Sequence, residues 1–201
     1  MANYRSSRVL PTILTIVVII VAIAGLVGLG RWIFGGTGNN NTSVVDTSQQ
    51  NLLDTTDGRA VSMTVRGPIV ADEDFRSYRI IISPTTRDFK AYTGYLETVT
   101  SSQTLTNNTA AYSQFVHALD VANLVKGDPF EEKDNNVLGI CAIGKVYEFS
   151  LLHDGKEVET LWTSTCSGSP GSLRANVTQV SSLFLNQIPN GSTIEATLKL
   201  S

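Results

Sequence analysis

The sequence is short of the residues that most often carry chemistry. Among 201 residues there are two cysteines, two histidines and two methionines. So few cysteines exclude a disulfide-dense mini-protein, and so few cysteines and histidines together exclude a clustered zinc module. Charge is also scarce, at 16% of residues, with 15 Lys+Arg against 18 Asp+Glu. That balance excludes a strongly basic nucleic-acid binder. There is no C-x-x-C motif, no G-x-S-x-G nucleophile elbow, no Gly-rich phosphate loop and no repeat of fixed period. Neither a cofactor nor a resident metal is expected.

What charge there is lies unevenly. Arg5, Arg8 and Arg31 are the only charges in residues 1–34, and the remainder carries 12 basic and 18 acidic residues. A domain of net charge −6 repels phosphate backbones and anionic lipid surfaces alike.

One long apolar run is present, Val9–Gly30, VLPTILTIVVIIVAIAGLVGLG. As a helix its length is about 33 Å, enough for a hydrocarbon core of about 30 Å. Pro11 stands near the start, where its missing N–H costs least, and Trp32 follows as an interfacial anchor. The competing expectation is a signal peptide cleaved after Ala24, with Ala22-Ile23-Ala24 as an A-x-A site. The apolar run continues to Trp32-Ile33-Phe34 without a polar region, which favours an uncleaved anchor over residues 9–34. Two arginines precede the run, while after Arg31 no basic residue occurs until Arg59. The positive-inside rule therefore predicts residues 1–8 in the cytoplasm and the C-terminal domain outside. The expected partners are the lipid bilayer, through residues 9–34, and an envelope or cell-surface protein.

Residues 35–58 (GGTGNNNTSVVDTSQQNLLDTTDG) are rich in Gly, Asn, Ser and Thr. They are expected to be a flexible linker with an r.m.s. span of about 25–30 Å. From Arg59 onward the pattern changes. Val61, Met63 and Val65 alternate with polar residues, Tyr78–Ile82 is a β-branched run, and Phe89–Tyr95 reads as its return. Residues 96–108 fit no single template. Ala110–Lys126 repeats Tyr112, Phe115, Leu119 and Ala122 at helical spacing, with Asn108 or Thr109 as the N-cap. Two strands are predicted over 140–152 and 157–165. A second helix is predicted from Ser172 or Asn176 to Gln187, and Pro189 ends it. Residues 193–200 are either a short strand or a disordered tail. The expectation is an α+β fold: a two-layer domain over 59–201, with an antiparallel sheet of about five strands and two helices in the order β-β-β-α-β-β-α.

Asp154-Gly155 is the strongest hairpin signal in the chain. A two-residue turn there pairs Tyr147 with Trp162, Phe149 with Thr160 and Leu151 with Val158. All six would share one face, and Glu148, Ser150, Glu157 and Glu159 the other. The same register brings Cys141 and Cys166 to the apolar face within a diagonal step of each other, where Gly139 or Gly144 can supply the local distortion. A structural disulfide is expected, with two buried free thiols as the alternative.

Two weaker constellations remain. His117 and Asp120, three apart on the first helix, would sketch part of a hydrolase site if a serine joined them. The segment from Cys166 to Ser172 feeds the second helix, so Ser167, Ser169, Ser172 and Arg174 form a candidate anion-binding loop. The acidic loop Asp128–Asp134 lacks the alternating ligands and turn glycine of an EF-hand. Glycosylation sequons at Asn40, Asn41, Asn107, Asn176 and Asn190 matter only in a source that glycosylates exported proteins.

The stretches YRIIISPTTRDFKAYTGY (78–95), GICAIGKVYEF (139–149) and LWTSTCSGSPGSL (161–173) resemble a group of short, single-span, exported proteins of ultrasmall candidate-phylum bacteria such as Saccharibacteria. That group keeps the apolar N-terminus, both cysteines and the Ser/Gly loop, and the resemblance covers about residues 9–189. It implies a bacterial cell-surface setting, which fits a disulfide and weakens the glycosylation reading. It implies no particular activity. The functional expectation is a non-catalytic interaction or envelope-assembly module, with a small hydrolase or an anion sensor as the alternatives.

Overall fold

The computed structural model describes residues 47–128 and 136–200. The predicted cytoplasmic terminus 1–8, the anchor 9–34, the first half of the linker and most of the acidic loop lie outside the described residues. Among the described residues no helix is long and apolar enough to cross a membrane.

The fold class is α+β: one antiparallel sheet of six strands, with four helices. In chain order these are α1 (Thr47–Leu53), β1 (Arg59–Arg66), β2 (Arg76–Ile82), β3 (Thr86–Thr93), β4 (Thr98–Thr106), α2 (Thr109–Val121), β5 (Val146–His153), β6 (Lys156–Ser164), α3 (Val177–Leu185) and α4 (Gly191–Thr197). The sheet order is β4-β3-β2-β1-β5-β6. The first four strands form a meander. The chain then crosses through α2 to the far side of β1 and adds the β5–β6 hairpin. β1 is therefore central, paired with β2 and β5.

Alternation along β1 decides which face is which. Val61, Met63 and Val65 are buried against the helices, joined by Tyr78, Ile80 and Ile82 of β2 and by Phe149 and Leu151 of β5. Helix α2 begins at the predicted N-cap: the Asn108 side chain accepts a hydrogen bond from the Ala111 N–H at 2.9 Å. It presents Tyr112, Phe115, Val116 and Leu119 to the sheet. Helix α3 is capped by Asn176 in the same way and contributes Val180, Phe184 and Leu185.

Four expectations need correction. The sheet has six strands rather than about five, because residues 98–106 form the edge strand β4. Residues 191–197 form a helix, held where the Tyr78 hydroxyl donates to the Glu195 carboxylate at 3.1 Å. The predicted strand over 140–152 starts only at Val146, its first six residues being a loop. The linker 35–58 is not flexible to its end. Helix α1 packs on α2, Leu52 is fully buried, and Gln49 donates to the Asp120 carboxylate at 2.9 Å. Asp54, just past α1, accepts from the Thr56 N–H and from Arg59, which holds its carboxyl below the usual range and fixes the joint with β1. Leu52→Ala is expected to cost about 2–3 kcal/mol in a denaturant titration, a size reserved for core leucines. An effect below about 0.5 kcal/mol would return α1 to the tether.

The hairpin shows a fifth difference. Asp154 and Gly155 both take positive φ, as a type I′ turn requires, and His153↔Lys156 and Leu152↔Glu157 pair as predicted. Beyond them the register shifts by one, with Leu151 opposite Glu159, Phe149 opposite Leu161 and Glu148 opposite Trp162. Val158 is the extra residue of a β-bulge. The bulge turns Leu161 into the main core and Trp162 to the opposite face, so both large side chains are buried. An unbroken register would bury the tryptophan and leave the leucine outside.

Candidate functional site

The helices cover one face of the sheet, which leaves its other face open. On that outer face Val146 and Trp162 form a second apolar cluster with Cys141, packed by Val137, Ile140 and Cys166. The disulfide Cys141–Cys166 closes it, with Cα atoms 5.6 Å apart. The bond is as expected, but it lies over this smaller cluster rather than on the main apolar face, since the bulge carried Trp162 there. Gly144 makes the passage possible. A Cβ at that position would collide with the Thr165 hydroxyl and come within 2.8 Å of the Cys141 sulfur. The Thr165 hydroxyl instead accepts the Lys145 N–H at 2.9 Å.

The loop over this cluster, residues 137–145, is tied to the segment after β1 where the Ile69 N–H donates to the Ala142 carbonyl at 2.9 Å. Beside it, Tyr95 stacks on Phe75 with ring centroids 4.2 Å apart, and its hydroxyl donates to the Val70 carbonyl at 2.7 Å. These segments enclose an apolar hollow of about 110 Å³, lined by Ile69, Phe75, Tyr95, Leu138, Ile140 and Val146 among others. Leu138 in its lining is 82% exposed, and Leu96 and Ile143, on the chain segments that carry Tyr95 and Leu138, are each 92% exposed. Scattered exposed apolar residues are ordinary, whereas several on the segments that form one apolar hollow make it a candidate interaction surface.

The predicted anion-binding loop does not assemble. Ser172 is fully buried, and its hydroxyl accepts the Trp162 N–H at 3.1 Å. Ser169 donates its hydroxyl to the Ile140 carbonyl at 3.2 Å, Ser167 is exposed, and Arg174 donates to the Gly171 carbonyl at 2.8 Å with Asp128 at 3.6 Å. Helix α3 starts only after Asn176, so the helix N–H groups are not delivered to residues 166–172. The segment is structural instead. With the Leu173 N–H donating to the Trp162 carbonyl at 2.9 Å, it seals the outer edge of β6.

His117 and Asp120 are not joined either. His117 is exposed on α2, and the Asp120 carboxylate accepts from Gln49. A larger open groove of about 640 Å³ runs between Gly67 and the C-terminal residues 197–200. Its one guanidinium, from Arg76, is turned into the protein, donating to the Glu73 and Phe75 carbonyls and the Thr93 hydroxyl. Among the described residues no group of three His, Cys, Asp or Glu could hold a metal ion.

The outer face also carries an ion-pair chain in which Arg66 lies 2.6 Å from Glu148 and 3.6 Å from Glu97. Ser77, opposite both Arg66 and Tyr92, keeps a buried hydroxyl without a hydrogen-bond partner among the described residues. No family model, curated protein or solved structure matches the chain.

Proposed function

We propose that this chain is a membrane-anchored, extracytoplasmic module that binds another envelope protein without catalysis, through the apolar rim held by the disulfide. The observation that carries this reading is the hollow itself, lined by exposed Leu138 and half-exposed Ile69 and Tyr95, with exposed Leu96 and Ile143 on the same chain segments and a disulfide closing the loop. A disulfide at the base of such a loop lowers the entropy lost when the loop is ordered against a partner. It also suits an oxidising compartment, consistent with the apolar run at 9–30 and the asymmetric arginines. The net charge of −6 beyond residue 34 argues against nucleic acid and anionic lipid, leaving an apolar protein surface as the fitting partner. Neither the hydrolase nor the sensor built on residues 166–174 has a specific observation in its favour.

Photo-crosslinking in the native envelope tests this. A photoreactive residue at position 138 or 143 is expected to give a discrete adduct of defined mass, and the same residue at exposed Lys156 none. Changing Ile69 or Tyr95 to Glu should abolish the adduct. No adduct from either rim position, or an equal yield from position 156, overturns the reading. An adduct of twice the chain mass would reassign the rim to self-association.

A further inference from the structure

A second feature of the outer face is independent of the rim. β2 and β3 pair so that Arg79 stands directly opposite Lys90. Like charges in directly opposed positions destabilise a sheet, and proteins seldom leave them uncompensated. Compensation is incomplete here: among the described residues neither side chain makes an ion pair, and the hollow they share holds one carboxylate, Asp88. The nearby acids are otherwise engaged. Glu97 and Glu148 serve Arg66, and Asp88 accepts hydrogen bonds from the Thr86 and Thr104 hydroxyls at 2.8 and 2.7 Å. Arg79 spends only its Nε, on the Thr64 hydroxyl at 2.9 Å, which orients the guanidinium and leaves both Nη groups without a partner among the described residues. Between these residues lies a hollow of about 320 Å³, lined by Arg79, Ile81, Asp88, Lys90, Tyr92 and Thr104. That volume is within the range of small-molecule sites.

We propose that this hollow is a binding site for a small monocarboxylate of about monosaccharide size. The two free Nη groups of Arg79 match a carboxylate fork, and Lys90 supplies a second, more mobile positive charge. Two cations against one neighbouring Asp88 leave a net charge of +1, which balances a monoanion. A phosphate dianion would bring its second charge beside Asp88. Ile81 and the Tyr92 ring give the ligand's carbon skeleton an apolar wall, so the carboxylate alone does not fill the site. The like-charge pair then has a reason to exist: it is strained when empty and relieved when an anion lies between its members.

Equilibrium dialysis and thermal unfolding of the full chain in neutral detergent test this, with D-glucuronate, acetate, D-glucose and inorganic phosphate as probes. Glucuronate is expected to bind saturably and to raise Tm, glucose not to bind, and acetate and phosphate to bind at least tenfold more weakly. Lys90→Gln and Arg79→Gln should each weaken glucuronate at least tenfold, and Arg174→Gln should not. Lys90 is exposed, so its substitution leaves the interior intact. Without ligand, Lys90→Gln should raise Tm by about 1–3 °C, because a like-charge pair is gone. No saturable glucuronate binding, unchanged binding in Lys90→Gln, or phosphate binding as tightly as glucuronate each overturns the proposal. Loss of binding in Arg174→Gln alone would move the site to the loop after Cys166.

Discussion

Replacing Phe184 with alanine is expected to lower the unfolding free energy by about 3–5 kcal/mol, the range for large aromatic residues removed from a packed core. Phe184 is fully buried at the point where two helices and the sheet meet. Its ring meets Phe115 of α2 edge to face, with centroids 5.2 Å apart, and lies 5.9 Å from Phe149 of β5. Both aromatic pairs, worth about 0.5–1.5 kcal/mol each beyond area burial, disappear with the one ring. The cavity left behind is bounded by these same elements, none of which can close it without giving up its own contacts. A domain of ordinary stability, about 5–15 kcal/mol, would keep only part of its margin. Chemical denaturation measures this directly: the midpoint should fall with an unchanged slope. A loss under about 1 kcal/mol would mean that α3 is not seated on Phe115 and Phe149 as described.

That junction is legible in the sequence because its signals are periodic. Tyr112, Phe115 and Leu119 on α2, and Val180, Phe184 and Ile188 toward the end of the chain, repeat at helical spacing, and asparagine caps mark both helix starts. The alternation of β1 and the Asp154-Gly155 turn are equally plain. The elements that sequence reasoning misses lack such periodicity for physical reasons. β4, with the sequence TVTSSQTLT, is an edge strand whose side chains are mostly exposed, so no buried face imposes alternation on it. α1 and α4 have seven residues each and too little apolar surface to announce themselves. Tertiary contacts hold them, through Leu52 on α2 and through Glu195 on Tyr78. The bulge at Val158 is hidden because either register buries a large apolar residue, and only the presence of two burial sites decides between them. The candidate sites are hidden for another reason. The rim draws on residues 69, 95–96 and 138–143, and Arg79 meets Lys90 only through the pairing of β2 with β3. Proximity of that kind is a product of the fold.

The double substitution Cys141→Ser with Cys166→Ser is expected to cost about 3.5 kcal/mol, the chain-entropy value for a loop of this size. With Cys141 and Cys166 separated by 25 positions, the unlinked chain regains the freedom that the bond had removed from its unfolded state. For a domain of this size the loss corresponds to a fall in Tm of about 7–14 °C. The local consequence should be larger than the global one. Val146 and Trp162 sit on the outer face, and the loop over them packs through Val137, Ile140 and the cystine itself. Without the bond that cover is held by the Ile69–Ala142, Lys145–Thr165 and Ser169–Ile140 hydrogen bonds. Trp162 should then become wetted, and its emission should shift to longer wavelength. Trp32, the other of the two tryptophans in the chain, lies in the N-terminal segment and should not respond. Far-UV circular dichroism should change little, because the main core lies on the opposite face and does not include either cysteine. Crosslinking from positions 138 and 143 should fall together with the red shift, since the rim is carried on the released loop. Identical Tm and emission for the oxidised chain and the double variant would remove the disulfide from any role in shaping this surface.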